Sequence, residues 1–354
     1  MRLTAFHCTI NRTSLRITCG HKEFATFARH MLAAHESPAG TEVDVSVHVS
    51  VRSGLPDLVR SARGATLQPD RSAGVAIDKT VWYNGDTTWH HDRQKTVRML
   101  HRASAPHLEV TAQYRPRLDR SIRASVNPDV RFNTYQQALR LFVFHPLFLW
   151  EELNHGYRPL HAGVVGNGRR AVVLAGLSGV GKSTLSLYLA SLPGWSLVSD
   201  NYALVSGSDV VGIQEPVRID ARTRALVGNK RLARVLDSRA VDGGRRRHAY
   251  PIASGGRNRV TATDLIFVTL GPRFALRRLS TDRMMDLLVR SENFLGEFYS
   301  YAELALPHSI LPVRDRCAMR REFVNAVPSY LCTIARSEPL DVTVNRLADE
   351  LQLL

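Results

Sequence analysis

Short runs in which apolar and polar residues alternate fill the first third of the chain. TEVDVSVHVSV (41–51), AGVAIDKTVWYN (73–84) and HLEVTAQY (107–114) repeat at every second position, the period at which a strand turns one face to a core. Gly, Pro, Ser and Asp separate these runs, so the pattern predicts a mostly β module over residues 1–130. Within it, HKEFATFARHMLAAH (21–35) spaces its apolar residues as an amphipathic helix does. NTYQQALRLFVFHPLFLWEELNHG (133–156) predicts a bridging helix over 131–157. Its most apolar part, 138–150, is interrupted by His145 and Pro146 and is too short to span a bilayer. It reads as a buried, kinked helix. From Pro159 a strand, loop, helix, strand texture predicts an α/β domain over 158–312. REFVNAVPSYLCTIAR and VTVNRLADELQLL then predict a helical C-terminal segment over 313–354.

Composition alters this picture little. The chain has 354 residues, 44% hydrophobic and 22% charged, as a globular protein does. Its net charge is +15, and only five of its 47 basic residues are lysine. Arginine enrichment of this kind follows from a GC-rich coding sequence; an acidic partner is the alternative, since the guanidinium fork suits phosphate and carboxylate. The basic triplet Arg245-Arg246-Arg247 has no interleaved aromatics, so nucleic acid is not expected as a partner. Cys8, Cys19, Cys317 and Cys332 have no CxxC spacing, which suggests neither a zinc site nor a disulfide framework. The first twenty residues hold no long apolar stretch, so the expectation is a cytoplasmic protein with reduced thiols and no membrane association. His90-His91-Asp92 is a weak metal candidate, because adjacent strand histidines point to opposite faces.

The chemistry concentrates in AVVLAGLSGVGKSTLSLYLASLPGWSLVSDNYALV (171–205). Gly176 to Ser183 fits GxxxxGK[ST] without a mismatch, between an apolar strand-like run and a helix-like run that ends before Pro193-Gly194. That context is what the phosphate-binding loop requires. Gly176, Gly179 and Gly181 let the backbone curl so that the N–H groups of Ser178, Val180 and neighbouring residues point inward at a helix start, forming an anion nest. Lys182 reaches the β and γ phosphates of a nucleotide, Ser183 ligates Mg²⁺, and Thr184 completes the contact segment. No LSGGQ-like signature is present, and Asn229-Lys230-Arg231-Leu232 lacks the aspartate of a GTPase base-reading motif.

Around this loop the sequence resembles the HPr kinase/phosphorylase superfamily and its shorter relatives. PLHAGVV places His161 about twenty residues before the loop lysine, as in that family. Gly194-Trp195-Ser-Leu-Val-Ser-Asp200-Asn201 follows its layout of a turn and a strand ending in an acidic pair. Gly256-Arg257-Asn258 matches a Pro-Gly-Arg-Asn block, with Gly255 in the place of the proline. These matches span residues 161–270 in scattered blocks. The resemblance implies an α/β P-loop kinase core (HPr kinase-like), preceded by the β module and followed by C-terminal helices. It implies ATP, with GTP left open, and Mg²⁺. Asp200 is then a base or metal ligand, His161 orients it or touches the phosphoryl group, and Arg257 neutralises charge. Ser183, Asp200, Asn201 and Glu215 are the implied metal set. The family's Asp-Asp is here Asp200-Asn201, and the spacing leaves open which aspartate Asp200 replaces; an amide cannot act as a base.

The expected activity is Mg-dependent transfer of the γ-phosphate of ATP to a Ser or Thr hydroxyl of a peptide or small protein, with a homo-oligomer admissible. A small metabolite is a less favoured acceptor, as in adenylylsulfate kinases, whose loop is also GLSGxGK. A nucleotide-binding regulatory protein with weak catalysis is the non-enzyme alternative.

Overall fold

The computed structural model describes residues 3–40, 42–51, 75–76, 81–84, 87–91, 97–104, 107–114, 118–243, 247–253, 258–295 and 316–353. The chain is mixed α/β and divides into two compact units: residues 1–155 with 242–247 and 299–312, and the remainder.

The first unit is built on an eight-stranded sheet. Its strands are β1 (Thr4–Ile10), β2 (Thr13–Cys19), β3 (Val45–Val51), β4 (Val75–Ala76), β5 (Val81–Asn84), β6 (Thr87–His91), β7 (Val97–Ser104) and β8 (His107–Tyr114), in the order β1-β2-β3-β8-β7-β6-β5-β4. The β2–β3 and β3–β8 pairs are parallel and the others antiparallel. Alternate residues of β8 are buried, as its sequence pattern requires. Helix α1 (Lys22–Met31) is capped by His21, whose ring accepts from the Phe24 N–H, and it buries Phe24, Phe27 and Met31. After α2 (Leu118–Val126) come α3 (Pro128–Leu139) and α4 (His145–His155), joined through residues Arg140–Phe144. The expected kink takes the form of a π-helical turn, in which the His145 N–H donates to the Arg140 carbonyl. Pro146 has no N–H and its ring crowds the preceding turn; the wider π turn relieves that conflict and the helix continues. Glu151 of α4 is buried, accepting from Thr13 Oγ1 at 2.6 Å and Asn11 Nδ2 at 2.7 Å.

The second unit begins with β9 (Arg158–His161), β10 (Gly163–Gly166), β11 (Ala171–Gly176), α5 (Lys182–Ala190), β12 (Ser196–Ser199), β13 (Tyr202–Ser206), β14 (Asp209–Ile213) and β15 (Val217–Asp220). Helices α6 (Ala221–Val227) and α7 (Asn229–Val235) and the short strands β16 (Asp242–Gly243) and β17 (Arg247–Tyr250) follow in the chain. Last come β18 (Arg259–Thr261), β19 (Asp264–Gly271), β20 (Ala275–Arg278), α8 (Thr281–Leu295), α9 (Arg316–Ala326), β21 (Ser329–Ala335) and α10 (Leu340–Glu350). Six strands form one sheet in the order β12-β10-β11-β19-β21-β20, and four form another in the order β18-β14-β13-β9.

The six-stranded sheet is buried on both faces. One core contains Val172, Leu174, Ile266 and Val268 with residues of α5, α7 and α10. The other contains Val173, Ala175, Leu265 and Phe267 with residues of α8, α9 and the four-stranded sheet. This explains the unbroken apolar run of β11, since a strand covered on both sides needs no polar alternation. The C-terminal segment 313–354 departs from the helical expectation. SYLCTIA forms β21, parallel to β19 and inside the sheet. Pro328 stops α9, and the near-continuous apolar run after it has no period that tells a buried strand from a helix.

Two tight contacts hold this unit together. Arg170 pairs with buried Asp264 at 2.8 Å and donates to the Leu351 and Gln352 carbonyls, tying the C-terminal end to the start of β11. At Gly163 an added Cβ would lie 2.2 Å from Ser186 Oγ of α5. Gly163→Ala is therefore expected to destabilise the protein by about 1–3 kcal/mol through overpacking. Gly163→Ala/Ser186→Ala should recover most of that loss in urea unfolding, and additive effects in the double variant would exclude the contact as the cause.

Candidate functional site

Strand direction brings the candidate residues to one edge of the six-stranded sheet. Strand β10 is antiparallel to both β11 and β12, so the C-terminal ends of β11 and β12 lie at the same edge, where β10 begins. The glycine loop leaves β11 there, β12 ends there at Ser199, and His161 lies just before the start of β10. The chain passes between the two sheets twice at this place. It does so at Ala162, between β9 and β10, and at Asp200-Asn201, between β12 and β13. The two crossings are joined, because the Ala162 N–H donates to the Asn201 carbonyl at 3.1 Å and His161 stands in register with Tyr202. The imidazole packs edge-on against the Tyr202 ring, with centroids 5.7 Å apart.

The loop has the backbone its glycines allow. Gly176, Gly179 and Gly181 have φ of 140°, 81° and 98°, a region that side-chain-bearing residues rarely adopt. At Gly176 a Cβ would also meet the Val268 carbonyl oxygen at 2.5 Å. Ser178 and Gly179 are exposed and Val180 is half-buried, packing its apolar side on the core below. Gly181 is the N-cap of α5, so Lys182, Ser183 and Thr184 form the first helical turn. Lys182 is buried, and its ammonium donates to the Gly176 carbonyl at 2.7 Å and the Leu177 carbonyl at 2.9 Å. The cation thus lies beneath the loop whose amides begin the helix.

Asp200 is 8% exposed. Ser183, His161 and Lys182 lie close enough to act on its charge, and its Oδ1 is buried with no hydrogen bond. Burial pushes the carboxyl above the ordinary carboxylate range, and Ser183, His161 and Lys182 oppose that shift. Beside it, Asn201 Nδ2 donates to Glu215 Oε2 at 3.3 Å, and Glu215 is 2% exposed. Register explains the meeting: Tyr202 of β13 pairs with Ile213 of β14, so Glu215, two residues beyond Ile213, falls next to Asn201. The structure therefore brings together His161, Lys182, Ser183, Asp200, Asn201 and Glu215. Arg257 lies outside the described residues, as do Gly255, Gly256, Asp92, Arg245 and Arg246. Asn258 is described, and its carbonyl accepts from the Gly212 N–H at 2.6 Å. Ser186 escaped the sequence reading; its hydroxyl is buried one turn along α5, facing Gly163.

Ser183, Asp200, Asn201 and Glu215 form an oxygen-donor set with two carboxylates. Among the described residues no three His, Cys, Asp or Glu side chains converge as a metal-holding group. Mg²⁺ bound with a nucleotide takes one or two carboxylates, the phosphates and water, and a buried carboxylate oxygen without a hydrogen bond fits that role. Among the described residues no helix is long and apolar enough to cross a membrane. No family model matches the chain, and no curated protein is significantly similar to it.

A carboxyl with a raised pKa holds its proton longer in the folded than in the unfolded chain. Its contribution favours folding below the ordinary value of 3.8 and is lost as pH rises through the folded pKa. At neutral pH the buried charge therefore destabilises the nucleotide-free protein, and Asp200→Asn removes that cost. Thermal unfolding should show a higher Tm for Asp200→Asn at pH 7.5, by about 2–4 °C for each kcal/mol relieved. The gap should narrow toward pH 4. A lower Tm for the variant at pH 7.5 would contradict the assignment.

Proposed function

We propose that this protein is a P-loop phosphotransferase of the HPr kinase-like type, a cytoplasmic, Mg-dependent enzyme that transfers the γ-phosphate of ATP to a Ser or Thr hydroxyl of a peptide or small protein. The observation that carries this reading is the placing of Ser183, on the first turn of α5, close to the buried Asp200 carboxylate at the mouth of the glycine loop. It joins the hydroxyl and the carboxylate that a metal–nucleotide site needs, at the strand ends where open α/β sheets receive ligands.

The side chains then divide the work. The loop amides and the α5 N-terminus hold the phosphates, and Lys182 exchanges its loop carbonyls for phosphate oxygens. Ser183 and Asp200 would hold Mg²⁺, with Asn201 and Glu215 behind them, and the ion would supply neutralisation of charge on the phosphates. Asp200 is also placed to accept the proton of the acceptor hydroxyl, as a carboxylate can. His161, half-buried beside Asp200, orients the carboxylate. Phosphoryl transfer needs little more than this, because positioning and charge neutralisation supply most of the catalysis.

Incubation with γ-labelled ATP and a set of Ser- and Thr-containing peptides should transfer label to a peptide. Asp200→Asn should lower the rate by about 10²–10⁴-fold, and Lys182→Ala should weaken ATP binding. Tight ATP binding with no transfer by the wild type, and no change in Asp200→Asn, would leave a nucleotide-binding regulatory protein instead.

A further inference from the structure

Residues 218–247 carry ten of the basic side chains against three acidic ones, the densest charge in the chain. Its helical part is the pair α6 and α7, which pack on α5 by burying Val227, Leu232 and Val235. The opposite faces are exposed and cationic: Arg222 on α6, then Lys230, Arg231 and Arg234 on α7, then Arg239. On α7 the three cations fall within an arc of about 100°. Asp220, the acid nearest to α6 in sequence, accepts from the Thr223 N–H as its N-cap.

Some of these cations have structural work. Arg231 lies over the Tyr188 ring at 4.3 Å, and Arg234 donates to the Ser191 carbonyl at 3.5 Å, at the α5 end where cations are favoured. Arg224 bonds Asn229 and the Tyr250 hydroxyl. Arg222, Lys230 and Arg239 have no hydrogen bond or ion pair among the described residues. Elsewhere in this unit cations find carboxylates readily, as at Arg259–Asp209, Arg283–Asp286, Arg321–Asp282 and Arg346–Glu338. A GC-rich coding bias raises arginine everywhere; it does not explain why Arg222, Lys230 and Arg239 lack the carboxylate partners of these other cations, although exposed Asp237 lies in the same stretch and Asp341 lies close enough to Tyr188 to act on it.

We infer that the exposed face of α6 and α7 docks an acidic segment of a peptide, which, if the phosphotransferase reading holds, is the phosphoryl acceptor. Leu226, 46% exposed on α6, offers an apolar contact for a side chain between the acids. The nearby tyrosine rings, Tyr188 and Tyr250, are covered by Arg231 and Arg224, and the single exposed His248 ring beside Tyr250 is no run of stacking platforms, which favours a peptide over single-stranded nucleic acid. The face lies toward the far end of α5 from the loop, about 13 Å away along a nine-residue helix. An extended chain covers that span in about four residues, so the acids of the acceptor lie at least that far from its reacting hydroxyl.

The test is fluorescence-polarisation binding to the full-length protein, without nucleotide. One labelled peptide carries a run of glutamates several residues from a single serine, and its match has glutamine in place of glutamate. The wild type should bind the glutamate peptide about tenfold or more tightly than its match, with an advantage that shrinks as salt rises. Arg222→Glu/Lys230→Glu/Arg239→Glu should lose that advantage while keeping wild-type ATP binding, and the milder triple Gln variant should lose part of it. Equal binding of the two peptides by the wild type overturns the inference. So does a single-stranded oligonucleotide of matched charge that displaces the glutamate peptide at lower concentration than the peptide itself. A glutamate peptide that binds but receives no phosphate overturns the phosphotransferase reading and leaves the docking face standing.

Discussion

A carboxylate removed from water must be compensated by hydrogen bonds and opposite charge, and the arrangement of the second unit follows from that requirement at Asp200. Its partners come from two separate stretches of chain, both distant from it in sequence. Ser183 and Lys182 arrive on the first turn of α5, and His161 arrives at the end of β9. None can be moved alone. The loop is set by β11, β11 lies against β10, and β10 is continuous with the segment that carries His161. The close fit of Gly163 against Ser186 sets how near α5 approaches β10. That spacing in turn places Ser183 near the carboxylate.

Compensation at Asp200 is incomplete. One carboxylate oxygen has no hydrogen bond and burial still raises the pKa, so the site is strained electrostatically rather than in its backbone. Lys182 is directed to loop carbonyls as well as lying near the acid. Sites that bind charged ligands commonly carry such residual cost, since groups arranged to meet a ligand are imperfectly satisfied without it. Asn201 moderates the cost. An aspartate in its place would set another negative charge against buried Glu215, whereas the amide donates a hydrogen bond to it.

Legibility in the sequence followed the range of the interactions. The loop was readable because its constraints are local: glycines at set positions need positive φ, and the flanking runs show strand and helix. Asp200 was readable as a strand end, but its nearness to Ser183 depends on two parallel strands separated by a third, which no local pattern encodes. Glu215 entered the metal set only through the family resemblance, since nothing in the sequence around it points to Asn201. Its position beside Asn201 comes from hairpin register between β13 and β14. Strand β21 was misread for the same reason that β11 was easy: a buried parallel strand is simply apolar, and only a following helix or a glycine loop labels it. Pro146 was read as a kink, and the π turn before it is the form that kink takes, which the sequence alone does not specify.

The account stands on the claim that Ser183 and Asp200 together form a metal–nucleotide site. Calorimetric titration of ATP into the nucleotide-free protein, with Mg²⁺ and with chelator, tests this most directly. The wild type should bind ATP more tightly with Mg²⁺, by about tenfold or more, and Ser183→Ala should lose most of that difference while still binding metal-free ATP through the loop. Absence of ATP binding, or a Mg²⁺ effect of the same size in wild type and Ser183→Ala, would contradict it.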